Sequence, residues 1–215
     1  MRILVTGGAG FIGSHLCELL LKQGNEVEVI DDLSTGSLDN ISTIQQNPKF
    51  KFHLETIINE GFLDHIVRDV DQIYHLAAAV GVSYIIDNPL KSIQINVRGT
   101  ENVLEAAHKY NKKVLITSTS EIYGKNENVP LSEEMDRVLG STTKRRWSYS
   151  NTKALDEFLA LAYHSEKKLP VVIVRLFNTV GPKQTGQYGM VIPRFINQAL
   201  HDKSITIFGD GEQTR

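Results

Sequence analysis

Eight residues near the start, Thr6-Gly7-Gly8-Ala9-Gly10-Phe11-Ile12-Gly13, restrict what this chain can fold into more than any other stretch. They follow the apolar run Ile3 to Val5 and lead into an amphipathic stretch, Phe11 to Gln23, so the glycines lie where a strand would hand over to a helix. In that context Gly7 allows a tight turn, Gly10 lets a pyrophosphate approach backbone N–H groups, and Gly13 lets the helix lie close to the strand. Phe11 and Ile12 open the helix beside them. A second strand pattern, Val27 to Ile30, ends at Asp31, eighteen residues beyond Gly13. A carboxylate there can accept both hydroxyls of an adenosine ribose and would repel a 2′-phosphate. With Asp32, Leu33 and Ser34 following and no Arg, NAD is favoured over NADP as cofactor.

Short apolar runs bounded by turn residues recur along the rest of the chain. Phe50 to Leu54, Gln72 to Leu76, Lys113 to Thr117 and Val171 to Val174 join the first two as strands. Between them Gly61 to Arg68, Pro89 to Tyr110 and Tyr149 to Lys168 read as helices, the second of these with Ile93, Val97, Val103, Leu104 and Ala107 on one broad face. Strands alternating with helices predict an α/β domain with a doubly wound parallel sheet, the Rossmann fold. From Lys125 to Lys144 the pattern dissolves into a polar surface excursion, and beyond Asn178 glycines suggest loops that close over a ligand. The expected division is residues 1-178 for cofactor and catalysis and 179-215 for part of a substrate-binding region.

The 215 residues are enough for a full core, and 23 basic against 25 acidic side chains give no electrostatic footprint for nucleic acid or a membrane surface. The single Cys17 excludes an internal disulfide and reads as a buried small hydrophobe. Glycines interrupt the apolar start too soon for a signal or spanning segment, so a cytoplasmic enzyme without a metal is expected.

A second constellation carries chemistry. Tyr149 and Lys153 stand four residues apart, one turn of helix, and so point to the same side. A phenol titrates near ~10, and a nearby ammonium together with a nicotinamide cation would lower that value toward the range of a base. Thr119, in the run Ser118-Thr119-Ser120-Glu121, offers a hydroxyl to the same substrate oxygen. After the fourth strand, Leu76, Ala77 and Ala78 are small enough for backbone to pass close to a cofactor ribose. His75 beside them reads as a structural histidine at a strand end. Asn96 stands mid-helix, where its propensity is poor, so it reads either as a hydrogen bond to a strand end or the catalytic loop, or as part of a solvated face, and it is counted among the residues expected to bind the cofactor.

These motifs, with Arg175-Leu-Phe-Asn178, occur in an order and spacing that resembles the extended short-chain dehydrogenase/reductase family, in particular its nucleotide-sugar epimerases, dehydratases and decarboxylases. The resemblance spans essentially the whole chain. It implies that Tyr149 removes the proton from a sugar hydroxyl, usually at C4, while hydride passes to tightly held NAD, and that Lys153 orients and tunes the tyrosine. It also implies contact of Phe177 with the nicotinamide, and of Val80, Ser120, Asn178, Val191 and Arg215 with a nucleoside-diphosphate sugar, a UDP-sugar being favoured. Where relatives carry an adenine-binding Asp this chain has Glu55-Thr56-Ile57, so adenine recognition is expected from the backbone of Thr56 and Ile57.

Glu121 bears on the reaction. Thr119-Ser120-Glu121 resembles the pattern of UDP-glucuronate decarboxylases more closely than the Asp-Glu of 4,6-dehydratases or the small residues of 4-epimerases, although Arg146-Trp147-Ser148-Tyr149 does not match the decarboxylase context. A carboxylate that only hydrogen-bonds nearby backbone is the other reading of Glu121. A non-catalytic NAD-binding or regulatory protein is a further alternative, against which the intact Thr119, Tyr149 and Lys153 stand. Relatives continue past the Gln-Thr-Arg segment, so the resemblance implies a chain that binds NAD, turns over substrate poorly and self-associates through Val191, Ile192, Phe195 and Ile196. Relatives also commonly dimerise through the helices matching Pro89 to Tyr110 and Tyr149 to Lys168, which implies a homodimer.

Overall fold

Alternation of side chains along the first strand divides the interior into two cores. In the computed structural model, which describes residues 1–186 and 190–212, β1 (Arg2–Thr6) sends Leu4 to one face and Ile3 and Val5 to the other. Leu4 joins Ile73, Val103, Leu104, Val114 and Ile116 in the larger core, whereas Ile3 and Val5 meet Cys17, Leu20, Val27, Val29 and Ile41 in the smaller one. Strands covered on both faces are apolar almost throughout, which is why they stand out in the sequence as runs.

The other strands are β2 (Glu26–Asp31), β3 (Phe50–Leu54), β4 (Gln72–His75), β5 (Lys113–Thr119) and β6 (Val171–Leu176). All pairings are parallel in the order β3-β2-β1-β4-β5-β6, the doubly wound arrangement expected. The order reverses between β1 and β4, and a crevice opens at the carboxyl ends of those two strands. On the smaller core lie α1 (Phe11–Lys22) and a 3-10 turn at Leu38–Ile41. On the larger lie α2 (Glu60–Arg68), α4 (Pro89–Lys109) and α5 (Trp147–Lys167). Cys17 is fully buried and burial pushes its thiol up to about 12, in keeping with a small hydrophobe.

Four features depart from the pattern read in the sequence. Helix α5 begins at Trp147 rather than Tyr149, because the buried indole fits against Gly140 and the Arg146 guanidinium lies 4.7 Å from its ring centre. In α4 the buried face holds Val103, Leu104 and Ala107, but nearer the crevice Ser92, Asn96, Gly99 and Thr100 are buried while Ile93 is exposed. The excursion after β5 lies on the surface as read, but with ties that the sequence did not show: Lys125 N donates to Val138 O at 2.7 Å, and Leu131 and Met135 rest on Ile122 and Tyr123. Two helices appear where none is expected, α3 (Val82–Asp87) and α6 (Val191–Leu200). None of the residues of α6 is buried, and Val191, Ile192 and Ile196 are exposed.

Candidate active site

The glycine turn is built as its spacing predicts. Gly7 has φ of 74°, and a Cβ there would come within 2.7 Å of Ala77 N, so only glycine satisfies both the left-handed backbone and the close approach of the β4 exit. A Cβ on Gly13 would overlap the Gly7 carbonyl. Helix α1 starts at Phe11 with Gly10 at its N-cap, no side-chain cap and no acidic residue in its first turn. Its positive end is therefore open to an anion.

Asp31, at the carboxyl end of β2, is buried, and it does more than face the crevice. Its Oδ2 accepts from Ala9 N and its Oδ1 from Leu33 N, each at 2.9 Å. Burial raises its pKa and the two amides oppose that rise. Each carboxylate oxygen keeps a further lone pair, so the side chain that shapes the turn can also accept from a ribose.

Around the turn lies a cleft of about 610 Å³. Its walls include Gly7, Gly10, Phe11, Ile12 and Gly13 from the turn, Asp31 and Asp32 after β2, and Thr56 and Ile57 after β3. Leu76, Ala77, Ala78 and Val80 follow from β4, and Thr119, Tyr149, Lys153 and Phe177 close the far side. The two constellations read in the sequence thus share one cavity. Ser120, Glu121, Asn178 and Val191 are outside this lining; Ser120 is buried in the turn after β5 and Val191 is exposed at the start of α6. Arg215 lies outside the described residues. A dinucleotide fits this donor set, with the α1 N-terminus for its pyrophosphate and Asp31 for its ribose. The buried Ser118 also stands in the cleft wall. The expected adenine contact is altered, because Thr56 N already donates to Glu55 Oε1 at 2.8 Å.

Asn96 stands behind the wall rather than in it. Its Oδ1 accepts from Ala79 N at 2.7 Å, and its Nδ2 donates to Ala79 O and to Thr152 Oγ1, both at 3.3 Å. It therefore fastens the loop after β4 to α5, the strand-end role anticipated for it, and the cofactor contact expected of it is indirect. His75 is structural as expected: Nδ1 meets Thr6 Oγ1 at 2.7 Å and Nε2 meets Thr100 Oγ1 at 3.1 Å, and burial depresses its pKa to about 3.

The acid–base pair has a neighbour that the sequence reading did not include. Lys153 Nζ is 2.8 Å from Asp156 Oδ2, and both side chains are almost wholly buried. Asp156 pairs with the ammonium, and burial raises the pKa of its carboxyl while Lys153 opposes that rise. Burial raises the Tyr149 pKa, Asp156 and Glu121 raise it further, and a hydrogen bond from Thr119 acts in the opposite sense. Sequence reasoning missed Asp156, whose only signal was an acid one turn beyond a lysine. It also gave no role to Arg175, which grips Glu157 through Nε at 3.0 Å and Nη2 at 2.8 Å and reaches Tyr123 Oη at 2.9 Å, locking β6 to α5 and the turn after β5. Among the described residues no group of three or more His, Cys, Asp or Glu could hold a metal, and no helix is long and apolar enough to cross a membrane.

The sequence pattern of the family described as GDP-mannose 4,6 dehydratase matches residues 4–215. The chain is 43% identical to a UDP-N-acetyl-α-D-glucosaminuronate decarboxylase of Bacillus cytotoxicus, aligned over 100% of this chain and 66% of that protein. It is 39% identical to UDP-glucuronic acid decarboxylase 1 of Arabidopsis thaliana, again over its whole length but over only 48% of the plant protein. The chain therefore spans between about half and two thirds of these relatives. Among solved structures, UDP-glucuronic acid 4-epimerase of Bacillus cereus, in complex with UDP-glucuronic acid and NAD, superposes with a TM-score of 0.89 at 38% identity, over 99% of this chain and 67% of that one. A dTDP-glucose 4,6-dehydratase of Streptomyces venezuelae with NAD bound gives 0.89 at 33% identity, over 98% and 66%.

Asp156→Asn removes one negative charge beside Tyr149 and leaves the side-chain shape. The phenolate of Tyr149 then forms at lower pH, read as tyrosinate absorbance in an alkaline titration and assigned by its loss in a Tyr149→Phe background. A midpoint that stays in place or rises would show that Asp156 does not hold the phenol up.

Proposed function

Because the chain belongs to the GDP-mannose 4,6-dehydratase family, within the extended short-chain dehydrogenases/reductases, we propose that it binds NAD and acts on a nucleoside-diphosphate sugar through transient oxidation at C4. The observation that carries this reading is the convergence of Thr119, Tyr149 and Lys153 on the cleft that also holds Gly7, Gly13 and Asp31. Bound NAD supplies a hydride acceptor for the sugar carbon. Tyr149 takes the proton of the C4 hydroxyl, helped by the Thr119 hydroxyl that hydrogen-bonds it, and Lys153 stands one helical turn below. Burial and its carboxylate neighbours hold the phenol up, so among the chain's own residues the Thr119 hydrogen bond is the influence that favours proton removal.

For the reaction itself we favour decarboxylation of UDP-glucuronate. Oxidation at C4 makes the sugar a β-keto acid, which loses carbon dioxide readily, so the protein has only to position the carboxylate. Glu121 supports this choice: it stands two residues after Thr119, in the short 3-10 turn after β5, close enough to bear on Tyr149. Two curated relatives with decarboxylase names agree with it. The second reading is 4-epimerisation of the same sugar, favoured by the Bacillus cereus epimerase at 38% identity.

We further propose a homodimer. Leu90 and Ile93 on α4 and Leu155, Phe158 and Leu161 on α5 are exposed on two neighbouring helices, an apolar surface of the kind that marks a contact. Sedimentation velocity at micromolar concentration is expected to show a dimer, and Phe158→Glu a monomer. A monomeric wild type would overturn this proposal.

UDP-glucuronate, UDP-glucose, UDP-galactose and a deoxythymidine diphosphate hexose, offered separately with NAD to a version extended to the length of its relatives, are expected to give carbon dioxide from the first alone. Tyr149→Phe should keep NAD and lose turnover by roughly 10²-fold or more. Conversion of UDP-glucuronate to its C4 epimer without carbon dioxide would establish the second reading, and near-normal turnover by Tyr149→Phe would remove the tyrosine from the chemistry.

A further inference from the structure

Beyond β6 the chain does not leave the cofactor half but crosses back over it. Lys183 donates through Nζ to Glu18 Oε1 at 2.6 Å on α1 and to Asn40 O at 2.7 Å within the 3-10 turn, across 165 and 143 residues of sequence. His15 Nε2 is 3.0 Å from the Pro182 carbonyl, and a Cβ on Gly181 would stand 3.2 Å from the Phe11 ring. Lys183 also holds a left-handed φ of 69°, a conformation that a residue with a side chain keeps only when its surroundings hold it there.

The anchor points connect to the glycine turn. Asn40 Nδ2 donates to Ala9 O at 2.8 Å, and Ala9 N donates to Asp31, so the Lys183 contacts end on the same short piece of backbone that Asp31 shapes. Thr179, Lys183, Gln184 and Thr185 form one wall of the cleft and Asp32, Thr35 and Asn40 line it from the β2 side. The segment thus runs from the β6 side of the crevice to the β2 side, and its fastening is remote from Tyr149 and Lys153 in the fold.

We infer that Lys183 and Glu18 form a clasp that closes the strap of residues 179–186 over a bound dinucleotide and sets how slowly the cofactor leaves. This rests on the reading that the cleft binds NAD. The pair is about one-fifth exposed on each side, an arrangement that contributes little to global stability, so its loss is expected in cofactor exchange rather than in the melting temperature.

Release of NADH into excess NAD, followed by stopped-flow fluorescence, tests this on the wild type, Lys183→Met, Glu18→Gln and the double variant. Each single change is expected to speed release by roughly tenfold, the double change no further, with melting temperatures little altered. Glu18→Gln leaves the strap backbone untouched and decides the matter if Lys183→Met does not fold. Unchanged release in both variants would overturn the clasp. Faster release in Lys183→Met with slower release in Glu18→Gln would also overturn it, since a lysine freed from Glu18 would then be holding the cofactor directly. A wild type that binds no NADH would overturn the clasp and the cofactor reading together.

Discussion

The carboxylate of Asp31 ties the two oldest signals in the sequence into one object. By accepting from the Ala9 and Leu33 amides it joins the turn between β1 and α1 to the end of β2. The close approaches that Gly7 and Gly13 permit bring the loop after β4 and the N-terminus of α1 to the same point. Remove that anchor and the open end of α1 has no fixed direction. The rest of the cleft is arranged around it, including Asn40 and, through Asn40, the strap that carries Lys183.

A second buried polar system supports the catalytic side. Thr6, His75 and Thr100 form a hydrogen-bonded line across the interior, with a histidine that burial keeps neutral. Asn96 holds the loop after β4 against α5, and Asp156 holds Lys153. Unpaired polar groups at such depth would be costly, so these pairings restrict where Tyr149 and Lys153 can stand. The consequence for chemistry is that Lys153 stands beside Tyr149 already paired with a buried carboxylate.

The strands were legible because a doubly covered sheet writes itself as apolar runs, and the cofactor turn because glycine is the only residue that tolerates its geometry. The joint position of Thr119, Tyr149 and Lys153 with Asp31 was expected from the one-turn spacing of the tyrosine and lysine and from the family resemblance. What the sequence hid was set by contacts at long range. Trp147 starts α5 because of Gly140 and Arg146, and Arg175 matters because Glu157 and Tyr123 converge on it. Helix α6 went unread among glycine-rich neighbours, and its residues make no buried contact that would have marked it. The buried half of α4 near the cleft is polar and small, so an apolar count misplaced its inner face.

Calorimetric titration of wild type and Asp31→Ala with NAD and with NADP bears most directly on the central role given to this carboxylate. The wild type is expected to prefer NAD. The variant should bind NAD roughly tenfold or more weakly, with the preference over NADP narrowed, because an acceptor for the ribose and a charge opposing a 2′-phosphate are lost together. A variant in which both affinities fall in parallel would assign Asp31 to the turn alone, and unchanged affinities would contradict the account altogether.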